Sequence, residues 1–212
     1  MQTWSMRFAD RAEAGRVLAR SLAPLRPYGP LVLGLPRGGV PVAAEVAAAL
    51  GADLDVVVVR KVGAPGHEEL AVGAVGERGV TVRMDDVLAG LGITWADVEA
   101  TAERERETVA RRAAELRGDA APRDLAGRVV VLVDDGIATG ATMSAAVRVV
   151  RDRGAAGVVV ATPVAPPDTA ARLDADAFVC VYLPRHFSAV GQWYSDFGQV
   201  SDQEVRDCLG VG

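Results

Sequence analysis

Residues 128–142 read Arg-Val-Val-Val-Leu-Val-Asp-Asp-Gly-Ile-Ala-Thr-Gly-Ala-Thr, and this stretch decides the fold. Val129–Val133 is an unbroken apolar run, rich in β-branched residues. Such a run is typical of a strand buried on both faces, as in a parallel sheet. Two acids, Asp134 and Asp135, end the run. The stretch therefore predicts a central parallel strand whose carboxyl end carries two adjacent carboxylates.

A loop of small residues follows the acids, and a helical pattern resumes near Ser144. Its glycines let successive backbone N–H groups converge, and the helix N-terminus adds a partial positive charge. Thr139 and Thr142 supply hydroxyl groups. These parts predict a phosphate-binding loop; the simpler alternative is a strand-end turn capped by an Asp side chain.

The two carboxylates narrow the class of ligand. Asp134 and Asp135 would repel a phosphate placed directly against them. Adjacent acids beside a phosphate loop suit vicinal hydroxyl groups on the same ligand, with or without a bridging Mg²⁺. The pattern therefore predicts a sugar phosphate such as ribose 5-phosphate.

Residues 131–142 resemble the ribose-phosphate signature of type I phosphoribosyltransferases: an apolar strand, two acids, small or aliphatic residues, then Thr-Gly-small-Thr. No P-loop or Gly-x-Gly-x-x-Gly motif competes with it. The resemblance implies that the acids hold the ribose hydroxyls and that the loop holds the 5-phosphate of phosphoribosyl pyrophosphate. The implied ribose-phosphate residues are Asp134, Asp135, Gly136, Ile137, Ala138, Thr139, Gly140, Ala141 and Thr142.

A second strand-end loop occurs earlier in the chain. Residues 31–35 predict a buried strand, which runs into Pro36, Arg37, Gly38 and Gly39 before a helix over about 41–50. Free N–H groups beside a guanidinium suit a second phosphate group. The resemblance implies a pyrophosphate loop here, and the alternative is a tight turn with an exposed arginine.

Residues 54–59 predict another buried strand, ending at Arg60 and Lys61. The following Gly- and Pro-rich loop, residues 63–67, could form a mobile lid that carries charge toward a phosphate ligand. The resemblance implies a flexible loop that closes over the site at this place. We leave Arg60 and Lys61 open between pyrophosphate contacts and solvated surface, and interpret His67 as an ordinary loop residue.

The remaining pattern predicts an α/β fold: one open, mostly parallel sheet with helices on both faces. A hairpin over 71–84 and a helical excursion over 85–117 interrupt the alternation, and the charges of the excursion are interpreted as a solvated helix face. Later elements are a helix over 142–153, a strand over 157–161, a helix over 167–173 and a strand over 178–182. We expect a single domain over residues 1–212, with its core at about 31–182 and a possible hood at 183–212.

Composition limits the function classes. The net charge of −5 and the pI near 5.1 disfavour a nucleic-acid surface. The chain shows neither the apolar stretch of a signal peptide nor one long enough to span a membrane. Cys180 and Cys208 have no metal-binding spacing and suggest reduced thiols. We expect a cytoplasmic protein with no nucleic-acid or membrane partner, and a homodimer is the commonest assembly to expect.

Aromatic residues return near the C-terminus, where Trp193, Tyr194 and Phe197 follow the last predicted strand. A planar acceptor needs a stacking surface, and these side chains are candidates for it. The alternative is packing in the core.

Together these features predict a Mg²⁺-dependent transfer of the phosphoribosyl group from phosphoribosyl pyrophosphate to a nucleobase-like acceptor, with release of pyrophosphate. Arg37, Lys61, Mg²⁺ and the backbone of Gly38 and Gly39 would stabilise the leaving pyrophosphate. Asp134 and Asp135 would hold the ribose and contact the metal indirectly, through the ligand or water. The catalytic candidates are therefore Asp134, Asp135, Arg37 and Lys61.

The acceptor is not assigned by the sequence. The chain lacks the Lys-x-x-Lys-x-His-Gly lid that would suggest orotate, and Thr162-Pro163 stands where a hypoxanthine or guanine enzyme usually has a lysine. The chain therefore resembles an unassigned branch of the family. Two alternatives stay open: a regulatory module that binds phosphoribosyl pyrophosphate or a nucleotide without turnover, and a ribose-phosphate pyrophosphokinase, which the lack of a recognisable ATP site disfavours.

Overall fold

The fold is built on a five-stranded sheet in which all neighbouring strands are parallel. The computed structural model describes residues 7–211. In spatial order the strands are β2 (Asp53–Val56), β1 (Leu31–Gly34), β6 (Val129–Val133), β7 (Gly157–Val164) and β8 (Ala177–Tyr182). The predicted parallel sheet is confirmed.

The order of strands changes direction between β1 and β6. From β1 the chain moves outward to β2, whereas from β6 it moves the other way to β7 and β8. The ends of the two strands are level, because Gly34 pairs with Val133. In open α/β sheets, ligands bind in the crevice at such a switch point. Both predicted phosphate loops begin there.

Helices cover both faces of this sheet, as predicted. On one face α1 (Arg11–Leu22) and α2 (Gly39–Leu50) pack against Val32 and Val131. On the other face α5 (Ala141–Asp152) packs against Leu33 and Leu132. Alternate residues of each strand therefore face opposite helical layers, as the period of two requires.

A small antiparallel sheet forms a further layer outside α5. Its strands are β3 (Val59–Ala64), β4 (His67–Gly76) and β5 (Thr81–Arg83). This sheet confirms the predicted hairpin, although β4 begins earlier than residue 71. The helical excursion is two helices, α3 (Asp85–Leu91) and α4 (Glu99–Arg117), and α4 packs on the side of the small sheet away from α5.

The prediction of one strand over 54–59 is wrong, because the chain leaves the parallel sheet in the middle of that run. The Val57 N–H still donates to the Gly34 carbonyl at 3.1 Å. The Val58 N–H instead donates to the Glu77 carboxylate at 3.0 Å, and β3 then begins at Val59 in the other sheet. Val56 to Val59 are all buried, so hydrophobicity carries no sign of the change.

The helix predicted over 167–173 is also wrong. Only a short 3-10 turn forms, Ala170–Arg172, and the backbone is already extended at Leu173. A turn in which the Thr169 N–H donates to the Pro166 carbonyl precedes it.

The C-terminal residues wrap back over the sheet ends. A 3-10 turn, Val190–Trp193, leads to α6 (Asp202–Leu209), which packs against α2 and α4. Ser201 and Glu204 form the predicted capping box of this helix. Across residues 7–211, no helix is both long and apolar enough to cross a bilayer.

Candidate functional site

The loop after β6 has the geometry of an anion site. The helix α5 begins at Ala141, and its N-cap is Gly140, whose φ of 80° is the left-handed conformation that glycine favours. No acidic residue lies in the first turn of α5, and no side chain caps it. The first N–H groups of a helix lack intrahelical partners. Thr139 and Thr142 are exposed beside these donors, as a phosphate ligand would require.

The loop after β1 is similar, but one of its predicted donors is committed elsewhere. The helix α2 begins at Gly39, again without an acid in its first turn or a side-chain cap. The Gly39 N–H donates to the Leu35 carbonyl at 3.0 Å, and the Val40 N–H donates to the Arg37 carbonyl at 3.2 Å. The Gly38 N–H is therefore the better candidate donor for a ligand.

The two loops touch, and glycine is what allows the contact. A Cβ atom on Gly38 would lie 2.0 Å from Oδ2 of Asp135, and one on Gly39 would lie 2.5 Å from the Val133 carbonyl oxygen. Both distances are shorter than any van der Waals contact. The predicted pyrophosphate loop and the predicted ribose acids therefore belong to one continuous site.

The carboxylate of Asp135 is held inside the protein by an arginine that the sequence pattern does not single out. Nε of Arg11, in the first turn of α1, donates to Oδ2 of Asp135 at 2.7 Å, and both side chains are only 13% exposed. The Arg11 guanidinium also donates to the Gly198 carbonyl at 2.7 Å and lies 4.0 Å from the centre of the Phe197 ring. Asp134 is therefore the acid with the better access to a sugar.

The environment of the acid pair favours protonation. Burial, followed by the negative charge of Asp135, raises the pKa of Asp134 well above its usual range. Burial also raises the pKa of Asp135, while the hydrogen bond from Arg11 acts in the opposite direction. The unliganded protein therefore holds the Asp134 carboxylate at a cost in free energy.

A cavity of about 670 Å³ opens between the two loops, β3 and α4. It is large enough for a sugar phosphate that carries a pyrophosphate group. Among its described lining residues, the cationic ones are Arg37, Arg60, Lys61, Arg111 and Arg112, against the acids Glu69 and Glu115. Thr139 and Thr142 line the same cavity. An excess of cations at a pair of N–H-rich loops suits a polyphosphate ligand.

A comparison with family models agrees with this chemistry. The model described as the phosphoribosyl transferase domain matches residues 28–197. The chain belongs to this family. The matched span contains both strand-end loops and the strands that position them.

Related proteins support the same membership. A Mycobacterium tuberculosis H37Rv protein, provisionally named a phosphoribosyl transferase, is 51% identical over 200 residues, which are 93% of this chain and 45% of that protein. The chain thus spans about half the length of this curated relative. The crystal structure of TT1426 from Thermus thermophilus is 51% identical, with a TM-score of 0.90, and the match covers 96% of this chain and 98% of that one.

A more distant structure shows the fold alone. The AQ2163 protein from Aquifex aeolicus is 12% identical, with a TM-score of 0.52, over 95% of this chain and 85% of that one. Its strand and helix layout agrees with the type I phosphoribosyltransferase fold described above.

Arg60 and Lys61 lie at the cavity of this phosphoribosyl transferase domain, but the loop predicted beside them is wrong in form. Both residues lie within β3 and not at a strand end, and Pro65 and Gly66 form the tight turn to β4. Nζ of Lys61 lies 2.7 Å from Glu69. The expected lid is therefore a paired hairpin in this structure.

The charged face of α4 is less uniformly solvated than the sequence suggests. Arg111 and Arg112 line the cavity, although they were interpreted as part of a solvated face. The predicted Glu107–Arg111 pair does not form, and Arg111 instead lies 3.9 Å from Glu115. Only the packing of α4 beside β3 reveals this role, and a helical periodicity cannot report it.

The three C-terminal aromatic residues do not line the large cavity. Tyr194 is 3% exposed, and its hydroxyl donates to the Asp135 carbonyl at 2.5 Å. Trp193 packs edge-on against Tyr182, and Phe197 packs against Tyr194 and Arg11. Tyr194 therefore supports the back of the ribose acids, and a stacking role for Trp193 or Phe197 stays a prediction.

A magnesium ion would have to be held largely by its ligand. Within residues 7–211, no group of three or more His, Cys, Asp or Glu side chains is placed to hold a metal ion. Mg²⁺ is commonly bound through one or two carboxylates together with substrate phosphates. Asp134 beside a pyrophosphate site is compatible with that arrangement.

Proposed function

We propose that this domain transfers the phosphoribosyl group of phosphoribosyl pyrophosphate to a nucleobase-like acceptor and releases pyrophosphate. One observation carries the proposal: two N–H-rich loops at neighbouring strand ends touch each other and open into a single cationic cavity. A ligand with phosphate groups at both ends and a sugar between them matches that layout.

Each part of the site has a defined task in this reaction. The loop from Thr139 to Thr142 would bind the 5-phosphate, and this remote binding energy fixes the position of the reacting carbon. Asp134 would hold the ribose hydroxyls and favour the positive charge that develops on the ring as the bond to pyrophosphate breaks. Arg37, the Gly38 N–H and Lys61 would stabilise the negative charge that develops on the leaving group.

Mg²⁺, when bound, would neutralise part of the pyrophosphate charge. Asp134 would hold it, directly or through water, together with the ligand. Asp135 is less suited to this task because its carboxylate is paired with Arg11.

The test is pyrophosphate release from phosphoribosyl pyrophosphate with Mg²⁺ and each nucleobase in turn. We compare the wild type with Asp134→Asn, using Asp152→Asn, an exposed acid at the end of α5, as the matched control. We expect release with at least one base, its loss in the first variant, and no change in the control. Tight donor binding without release for any base would support the regulatory module instead, and unchanged donor affinity in Asp134→Asn would count against both.

A further inference from the structure

The helix α4 presents an arginine at the cavity whose position is fixed from the far end of the chain. The two terminal nitrogens of Arg112 donate to the two carboxylate oxygens of Asp202, in the first turn of α6, at 2.6 and 2.5 Å. One of them also donates to Glu115 at 3.1 Å. These contacts hold the guanidinium at the cavity, where its side chain remains 27% exposed.

Arg37, the arginine of the predicted pyrophosphate loop, approaches the same acid. Its terminal nitrogen lies 3.6 Å from Oδ1 of Asp202. Two guanidinium groups from distant parts of the chain therefore share one carboxylate at the edge of the cavity. Arg112 uses three of its five N–H groups in the contacts with Asp202 and Glu115, which leaves two donors for a ligand.

We propose that Arg112 is a binding residue for the leaving pyrophosphate, acting from α4 beside Arg37 of the β1 loop. This inference rests on the proposed function, because it assigns a role to Arg112 at the same site. Pyrophosphate carries several negative charges, so a second guanidinium near Arg37 stabilises it before and after it leaves.

Asp202 has a different role, which gives the proposal a sharp test. In the unliganded protein it offsets the mutual repulsion of Arg37 and Arg112, but its charge also opposes an incoming anion. Removing that charge breaks the contact between α4 and α6 without removing the arginine. A loss caused by loosened packing and a loss caused by the missing guanidinium can thus be separated.

The experiment titrates inorganic pyrophosphate and, separately, ribose 5-phosphate into the full chain with Mg²⁺ by calorimetry. Arg112→Gln should weaken pyrophosphate binding about tenfold or more, the amount expected for a charged hydrogen bond, and leave ribose 5-phosphate binding unchanged. Asp202→Asn should bind pyrophosphate as tightly as the wild type, or more tightly. Asp207→Asn, on the same short helix, controls for a general effect of charge, and thermal unfolding checks that each variant folds.

Equal losses of pyrophosphate affinity in Arg112→Gln and Asp202→Asn would overturn the inference, since packing would then explain both. Unchanged affinity in Arg112→Gln would overturn it too, as would the absence of pyrophosphate binding in the wild type. Failure of the wild type to bind ribose 5-phosphate would instead overturn the proposed function, and the pyrophosphate titrations would still decide the role of Arg112.

Discussion

Replacing Arg117 with Met should destabilise this protein strongly, because Arg117 balances two buried acids. Its side chain is 5% exposed, and its nitrogens donate to Asp55 at 2.6 Å and to Glu77 at 2.5 and 3.0 Å. It also donates to the Val56 carbonyl at 2.7 Å. This network lies where the chain crosses from β2 to β3, so it fixes the segment that leads into the cavity.

The magnitude follows from what the substitution leaves behind. Met fills much of the volume, but both carboxylates remain buried without their cation. Removing one partner of a buried ion pair typically destabilises a protein by about 3–5 kcal/mol. For a domain of this size, each kcal/mol lowers the midpoint of thermal unfolding by roughly 2–4 °C. We therefore expect a decrease of about 10 °C.

Urea and thermal unfolding of the Arg117→Met variant, followed by circular dichroism, measure this loss. Arg104→Met, an exposed position on the same helix, is the matched control and should change the free energy of unfolding by about 0.5 kcal/mol or less. A loss of less than about 1 kcal/mol in Arg117→Met would refute the reasoning, since the two acids would then not need the arginine.

Three further predictions concern the site and the thiols. Asp134→Asn should raise the thermal midpoint at pH 8, because a raised pKa in the folded state makes stability fall as pH rises through that pKa; the difference from wild type should shrink toward pH 4, and an unchanged midpoint at pH 8 would contradict it. Arg11→Gln should destabilise the protein by about 2 kcal/mol, measured in urea, by leaving Asp135 unpaired; a neutral effect would contradict the pairing. Burial raises the pKa of Cys180 to about 11, so in a Cys208→Ser background a thiol reagent should react slowly at pH 8 and faster as pH approaches 11; rapid labelling of the folded protein at pH 8 would contradict it.

The sequence predicts the parallel sheet and the two strand-end loops because their signals are local. The apolar run Val129–Val133 and the acids and glycines after it lie within a few residues of one another. Buried β-branched runs, glycine turns and helix starts each have a local physical cause. The structure agrees wherever such a cause acts alone.

The sequence does not predict the partners that come from distant segments. Arg11 is 124 residues from Asp135, and Arg112 is 90 residues from Asp202. Nothing in the local pattern of a charged helix distinguishes Arg112 from the solvated charges around it. The crossing at Val57 and Val58 is equally invisible, because buried valines suit both sheets. These features depend on tertiary packing, and they surround the candidate site.

The most direct test of the central claim is a crystal structure of the domain with phosphoribosyl pyrophosphate. We predict that the 5-phosphate lies within about 3 Å of the N–H groups at the start of α5, with Thr139 and Thr142 beside it. We also predict that the ribose hydroxyls contact Asp134 and that the pyrophosphate lies between Arg37 and Arg112. A ligand bound elsewhere, or one whose 5-phosphate avoids the loop after β6, would contradict the account.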